Sequence, residues 1–119
     1  YLKGEKVMNK KNDVNVNMAA VQQVVDAWIS QYPEGYWPPE WILARLTEEV
    51  GELSRELNHL YGPKKKKAAE SNAKLQSEIG DVLFTIVCLA NSEKIDLAAA
   101  FRDAMEKCYV RDVDRFEKK

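Results

Sequence analysis

EEVGEL at residues 48–53 and EIGDVL at 78–83 are the two stretches on which the reading of this chain turns. Each sits in a long helical pattern, yet each sets a glycine between acids. Glycine costs about 1 kcal/mol against alanine inside a helix, and like charges three or four apart repel. The two stretches also repeat each other. A shift of 29 residues lays Leu46, Glu49, Val50, Gly51, Glu52 and Leu53 on Leu75, Glu78, Ile79, Gly80, Asp81 and Val82, and then Leu57 and Leu60 on Ile86 and Leu89. At roughly 100° per residue, the first acid of each pair lies about 60° from its apolar seam and the second about 120°. Two such helices in an antiparallel hairpin turn four carboxylates, Glu49, Glu52, Glu78 and Asp81, towards one cleft beside the core.

Four helices follow from the 3.6-residue period working outward. The first spans about Val16–Tyr32, with Met18, Val21, Val25, Trp28 and Tyr32 on one stripe, and stops at the turn signal YPEG. The second opens at Pro38-Pro39, carries Leu46, Val50, Leu53, Leu57 and Leu60 as its seam, and ends at Gly62-Pro63. After KKKK (64–67), a solvated linker, the third runs from about Ala69 to Asn91 on Leu75, Ile79, Val82, Ile86 and Leu89. The fourth starts behind Asp96 as N-cap and sends Leu97, Phe101, Ala104 and Cys108 inward. No strand pattern competes. The predicted architecture is all-α, a bundle of four main helices over residues 16–119. Residues 1–15 read as a flexible N-terminal segment, with Met8 a candidate natural start. The stretch VLFTIVCLA (82–90) is apolar almost all round, which implies a face covered by a second copy of the chain.

Converging carboxylates need a cation, and a hard divalent ion suits them. Mg²⁺ takes oxygen ligands from a few carboxylates, waters and phosphate oxygens. An i, i+3 spacing lets one helix offer two ligands, and glycine between them permits close approach by another helix or a ligand. A single ExxE more often lines a solvated face; a doubled pair in register favours the metal. Glu48 points away from the seam, and Glu56 projects near Glu49. Glu56 and His59 form an ExxH, the unit of a carboxylate-bridged di-iron bundle, but that site needs two and the chain has a single histidine.

With 119 residues, 45% hydrophobic and 31% charged, the chain has the composition of one globular domain. A net charge of −1 argues against a nucleic-acid or membrane surface, and no apolar run reaches the ~18 residues of a span. Cys88 and Cys108 lack metal-site spacing and are expected as buried thiols in a reducing cytoplasm.

RLTEEVGELSRELNHLYG, EIGDVLFTIVCLANSEKIDL and the closing KCYVRDVDRF together resemble the MazG-like nucleotide pyrophosphohydrolases, an all-α family whose signature is ExxE on one helix and ExxD on the next. With EGYWPPEW the resemblance covers about Val21 to Phe116. It implies Mg²⁺ or Mn²⁺ on Glu49, Glu52, Glu78 and Asp81, and conversion of a nucleoside triphosphate to monophosphate and pyrophosphate. Nucleotide-pool cleaning would be the cellular role, and a homodimer or homotetramer the assembly. Glu48 or Glu49 is the candidate to orient or deprotonate the attacking water. Arg111 and Arg115 continue the apolar line of the fourth helix with Lys107 beside them; Lys107 and Arg111 are the candidates for phosphate contact, with Lys94 a weaker one. Trp37, flanked by Tyr36 and Trp41, either packs the corner between the first two helices or offers a face for the base. Asn91 is either a helix cap or a ligand contact. A helical interaction module with inert acids is the non-enzymatic alternative.

Overall fold

The computed structural model describes residues 17–64, 67 and 74–119. Four α-helices make up the described chain: α1 Met18–Ile29, α2 Pro39–Tyr61, α3 Lys74–Ser92 and α4 Leu97–Glu106. A π-helical turn, Lys107–Arg111, continues α4. The expected N-terminal segment and the expected start of the third helix near Ala69 lie outside the described residues. No strand occurs among the described residues, and no helix among them is long and apolar enough to cross a membrane.

The ends of the helices follow from local chemistry. Asn17 Oδ1 accepts from Ala20 N at 2.8 Å and caps α1. Gly35, at φ +63°, makes the turn before α2, a conformation that costs a glycine little. Asp96 Oδ1 caps α4 through Ala98 N at 2.9 Å. The end of α3 corrects one expectation. Asn91 does not cap it; Lys94, at φ +56°, occupies the left-handed position, while Ile95 N reaches Ala90 O at 2.8 Å and Lys94 N reaches Asn91 O at 3.2 Å.

α2 and α3 form the principal packed pair, and α1 lies across α3 and touches α4. Ile42 near the start of α2 meets Val87 and Cys88 near the end of α3 in one core cluster with Val25 of α1. The two long helices therefore run antiparallel. Their buried lines differ from the expected seams. On α2 the line is Ile42, Leu46, Glu49, Leu53, Glu56, Leu60; on α3 it is Leu75, Glu78, Val82, Thr85, Leu89. Val50, Leu57, Ile79 and Ile86, expected inside, are 49%, 41%, 52% and 38% exposed. Periodicity weights every apolar residue alike, and each helix has two adjacent apolar lines; the hairpin uses one and leaves the other open. α4 likewise leaves Phe101 and Ala104 exposed, and the π-helical turn leaves Cys108 exposed, so of the two cysteines only Cys88 is a buried thiol.

Candidate active site

The hairpin brings three acids together from two helices. Carboxylate oxygens of Glu49, Glu78 and Asp81 all lie within 4.8 Å of one another. Glu49 and Glu78 are 7% and 6% exposed, inside the contact line and not beside it. Asp81, one turn on from Glu78, is exposed. Glu52 is exposed and stands outside this cluster. A Cβ on Gly51 or Gly80 would meet nothing within 4 Å, so neither glycine serves the packing of the hairpin.

Each buried acid of the cluster, Glu49 and Glu78, has a cation one turn before it. Arg45 Nη2 lies 2.8 Å from Glu49 Oε1, and Lys74 Nζ lies 3.8 Å from Glu78 Oε1. The same shift of 29 residues that relates the acids relates these cations, so extending the repeat by one position before Leu46 and Leu75 would have found them. Charges brought out of water are tolerated when paired, and these pairs serve that need for Glu49 and Glu78.

From the acids a cleft of about 720 Å³ runs between α1, the α1–α2 corner and α3. Glu49, Asp81 and Arg45 stand on its wall; Trp28, Tyr32, Tyr36 and Trp37 supply aromatic surface, with Cys88 below. Trp28 sits edge-to-face with Tyr32 at 5.1 Å and with Phe84 at 5.8 Å, and Trp37 with Trp41 at 6.5 Å. Burial pushes the Cys88 thiol up to about 11, so it is neutral at ordinary pH.

A hydrogen-bond network holds the corner that carries Trp37. The Tyr36 hydroxyl donates to Asp26 Oδ1 at 2.8 Å and accepts from Asn91 Nδ2 at 2.9 Å. Asn91 Nδ2 also donates to Gln22 O, and Asn91 Oδ1 accepts from Gln22 Nε2, both at 2.9 Å. Gln22 Oε1 accepts from Leu97 N at 3.0 Å. Burial raises Tyr36 to about 12, reinforced by Asp26 and opposed by the Asn91 bond. Asn91 ties the end of α3 to α1 and the corner, and Gln22 carries the tie on to the start of α4. Gln22 and Asp26 carry no local sequence signal, because their partners are far away in the chain.

The other expected site residues lie elsewhere. Glu48 is exposed, 4.0 Å from Arg45 Nη1. Lys94 is exposed at the end of α3. Lys107 and Arg111 are exposed on the π-helical turn and do not line the cleft. Arg111 Nε lies 3.3 Å from Asp112 Oδ1, which Arg115 also approaches at 3.5 Å. His59 and Glu56 fall outside the acid cluster, whose donors are carboxylates only. Oxygen donors alone suit a hard ion such as Mg²⁺ better than the nitrogen-and-oxygen set of a di-iron bundle.

Residues 38–116 match the model of the MazG nucleotide pyrophosphohydrolase domain. The chain is 52% identical over 102 residues to the uncharacterized protein YpjD of Bacillus subtilis, covering 86% of this chain and 92% of that one. It also resembles the crystal structure of YpjD from Bacillus subtilis, described there as a candidate pyrophosphatase, with a TM-score of 0.74 over 78% of this chain and 95% of that chain. A second crystal structure, of a Bacillus-conserved MazG protein described as a nucleotide pyrophosphohydrolase, is 46% identical, with a TM-score of 0.66 over 77% of this chain and 88% of that chain.

Proposed function

Because this chain belongs to the MazG nucleotide pyrophosphohydrolase family, a family of hydrolases acting on nucleotides, we propose that it converts nucleoside or deoxynucleoside triphosphates to monophosphate and pyrophosphate by attack of water at the α-phosphorus. The convergence of Glu49, Glu78 and Asp81 at one end of an aromatic cleft carries this reading. The donor set fits Mg²⁺ or Mn²⁺. Oxygens around one Mg²⁺ stand roughly 3–4 Å apart, so a cluster spanning up to 4.8 Å needs only small side-chain rotations to hold the ion. When bound, the ion neutralises triphosphate charge and lowers the pKa of water.

The chain's own residues do the rest. Glu49 and Glu78, fixed in the hairpin contact, hold their carboxylates in place before substrate arrives. Asp81, exposed at the mouth, meets the phosphates first, and Glu52 is proposed to join from one turn along α2. Glu48 or Glu49 is proposed to orient the attacking water. Trp37, Trp28 and Tyr32 offer faces to the base, and such stacking tolerates many bases. Lys107 and Arg111 are proposed phosphate contacts; since they do not line their own chain's cleft, they would serve a neighbouring chain. A homodimer or homotetramer is proposed on the exposed line Val50, Leu57, Ile79 and Ile86. Free thiols at Cys88 and Cys108 suit the cytoplasm, the proposed setting, where the role would be clearance of unwanted nucleotides.

Hydrolysis in ¹⁸O-labelled water tests the point of attack. Label in the monophosphate is the result expected; label in pyrophosphate would place attack at the β-phosphorus and overturn the reading.

A further inference from the structure

Two features of the acid cluster are unequal in a way that suggests exchange. The acids are nearly buried, with side chains 10% exposed at Glu49 and 8% at Glu78, while their cations are 53% and 48% exposed at Arg45 and Lys74. The acids are therefore held, and the cations can leave into water. A cation half in solvent loses little on returning to water, and a divalent ion that replaces it keeps the buried carboxylate compensated. The cations are also unequal to each other. Arg45 lies closer to its acid and stands on the wall of the cleft, while Lys74 does not line it.

We propose that Arg45 and Lys74 are resident counter-cations of the acid cluster that yield to an incoming divalent ion, and that Arg45, once released, turns to the triphosphate in the cleft. This rests on the metal-binding reading of Glu49, Glu78 and Asp81 proposed above. In the metal-free protein each cation balances a buried carboxylate that would otherwise repel its neighbours. A divalent ion arriving between the acids must displace them and work against their charge. The displaced guanidinium has three donor nitrogens and a planar fork suited to phosphate oxygens, and the same cleft holds it beside them. Lys74 has no such second partner.

Calorimetric titration of the full chain with Mn²⁺ alone tests the first half. Removing one positive charge several ångströms from the ion lowers its cost of entry, so Arg45→Gln is expected to bind Mn²⁺ roughly three- to tenfold more tightly than the native chain. Lys74→Gln should tighten it by less, and Arg45→Lys should restore the native affinity. Titration of the Mn²⁺-loaded proteins with a non-hydrolysable triphosphate analogue tests the second half. Arg45→Gln should weaken the analogue about tenfold, with Lys74→Gln unchanged. Unchanged or weaker Mn²⁺ binding in an Arg45→Gln protein of native helicity would overturn the inference, while Asp81→Asn still abolishing Mn²⁺ binding would leave the metal site standing. If Asp81→Asn left Mn²⁺ binding intact, the metal site and the inference would fall together.

Discussion

Asn91 Nδ2 donates to the Tyr36 hydroxyl at 2.9 Å, joining the end of α3 to the corner that carries Trp37, across 55 residues of chain. The amide has little capacity left for a ligand, because Gln22 takes its other bonds. Asn91→Ala should cost about 1–3 kcal/mol, since it strands polar atoms of Gln22 and Tyr36 away from water. Tyr36→Phe should cost about 1 kcal/mol and raise KM for nucleotide more than it lowers kcat, because it loosens Trp37 and leaves the acids in place. Thermal unfolding with steady-state kinetics reads both effects; an Asn91→Ala protein of native stability but poor substrate affinity would instead make Asn91 a ligand contact.

Alkali should destabilise the protein in two overlapping windows. Cys88 is raised from 9 to about 11 and Tyr36 from 10 to about 12. A raised folded pKa means the unfolded chain ionises first. Its stabilisation is thus whole below the ordinary value and lost as pH climbs to the folded one, at a slope of at most about 1.4 kcal/mol per pH unit for each group. Melting temperature in the native chain should fall from pH 9, the thiol acting alone at first. Cys88→Ala should lower stability at neutral pH by removing core volume, yet hold its own plateau to about pH 10.

Substitution at the acid cluster should separate activity from folding. Asp81→Asn, an exposed change, is expected to reduce metal-dependent turnover at least about 100-fold with the melting temperature within a few degrees of native. Glu49→Gln should match it in activity with only a small change in melting temperature, since the cation left without its partner, Arg45, is half in solvent. Full turnover by both variants would remove the cluster from the reaction.

The open apolar line predicts assembly. Val50 and Ile79 are equivalent by the internal repeat, and about half of each is exposed. Light scattering should give a mass of at least two chains, and Val50→Lys with Ile79→Lys should reduce it to one. A native chain of single-chain mass would contradict the assembly.

Much of this arrangement is legible in the chain, and the rest fails for identifiable reasons. The four helices announce themselves because Pro38-Pro39, Gly62-Pro63 and Asp96 punctuate clean 3.6-residue periods. Glu49, Glu78 and Asp81 can be found because a repeat in register is rarer than an isolated ExxE. The buried line of the hairpin is not legible. On α2 the apolar residues Val50 and Leu57 outrank Glu49 and Glu56 in any hydrophobicity count, yet the hairpin closes on the acids and leaves the hydrophobes outside. Arg45 and Lys74 are within reach of the repeat. The Gln22–Asn91–Tyr36–Asp26 network is not, because hydrogen bonds spanning up to 69 residues leave no periodic trace.

The most direct test of the central claim is ³¹P NMR of nucleoside and deoxynucleoside triphosphates incubated with the native chain and with Asp81→Asn, each with and without Mg²⁺. Monophosphate and pyrophosphate formed by the native chain only in the presence of Mg²⁺, and not by Asp81→Asn, is the result the acid cluster predicts. Diphosphate with orthophosphate, or turnover indifferent to the ion and to Asp81, would contradict it.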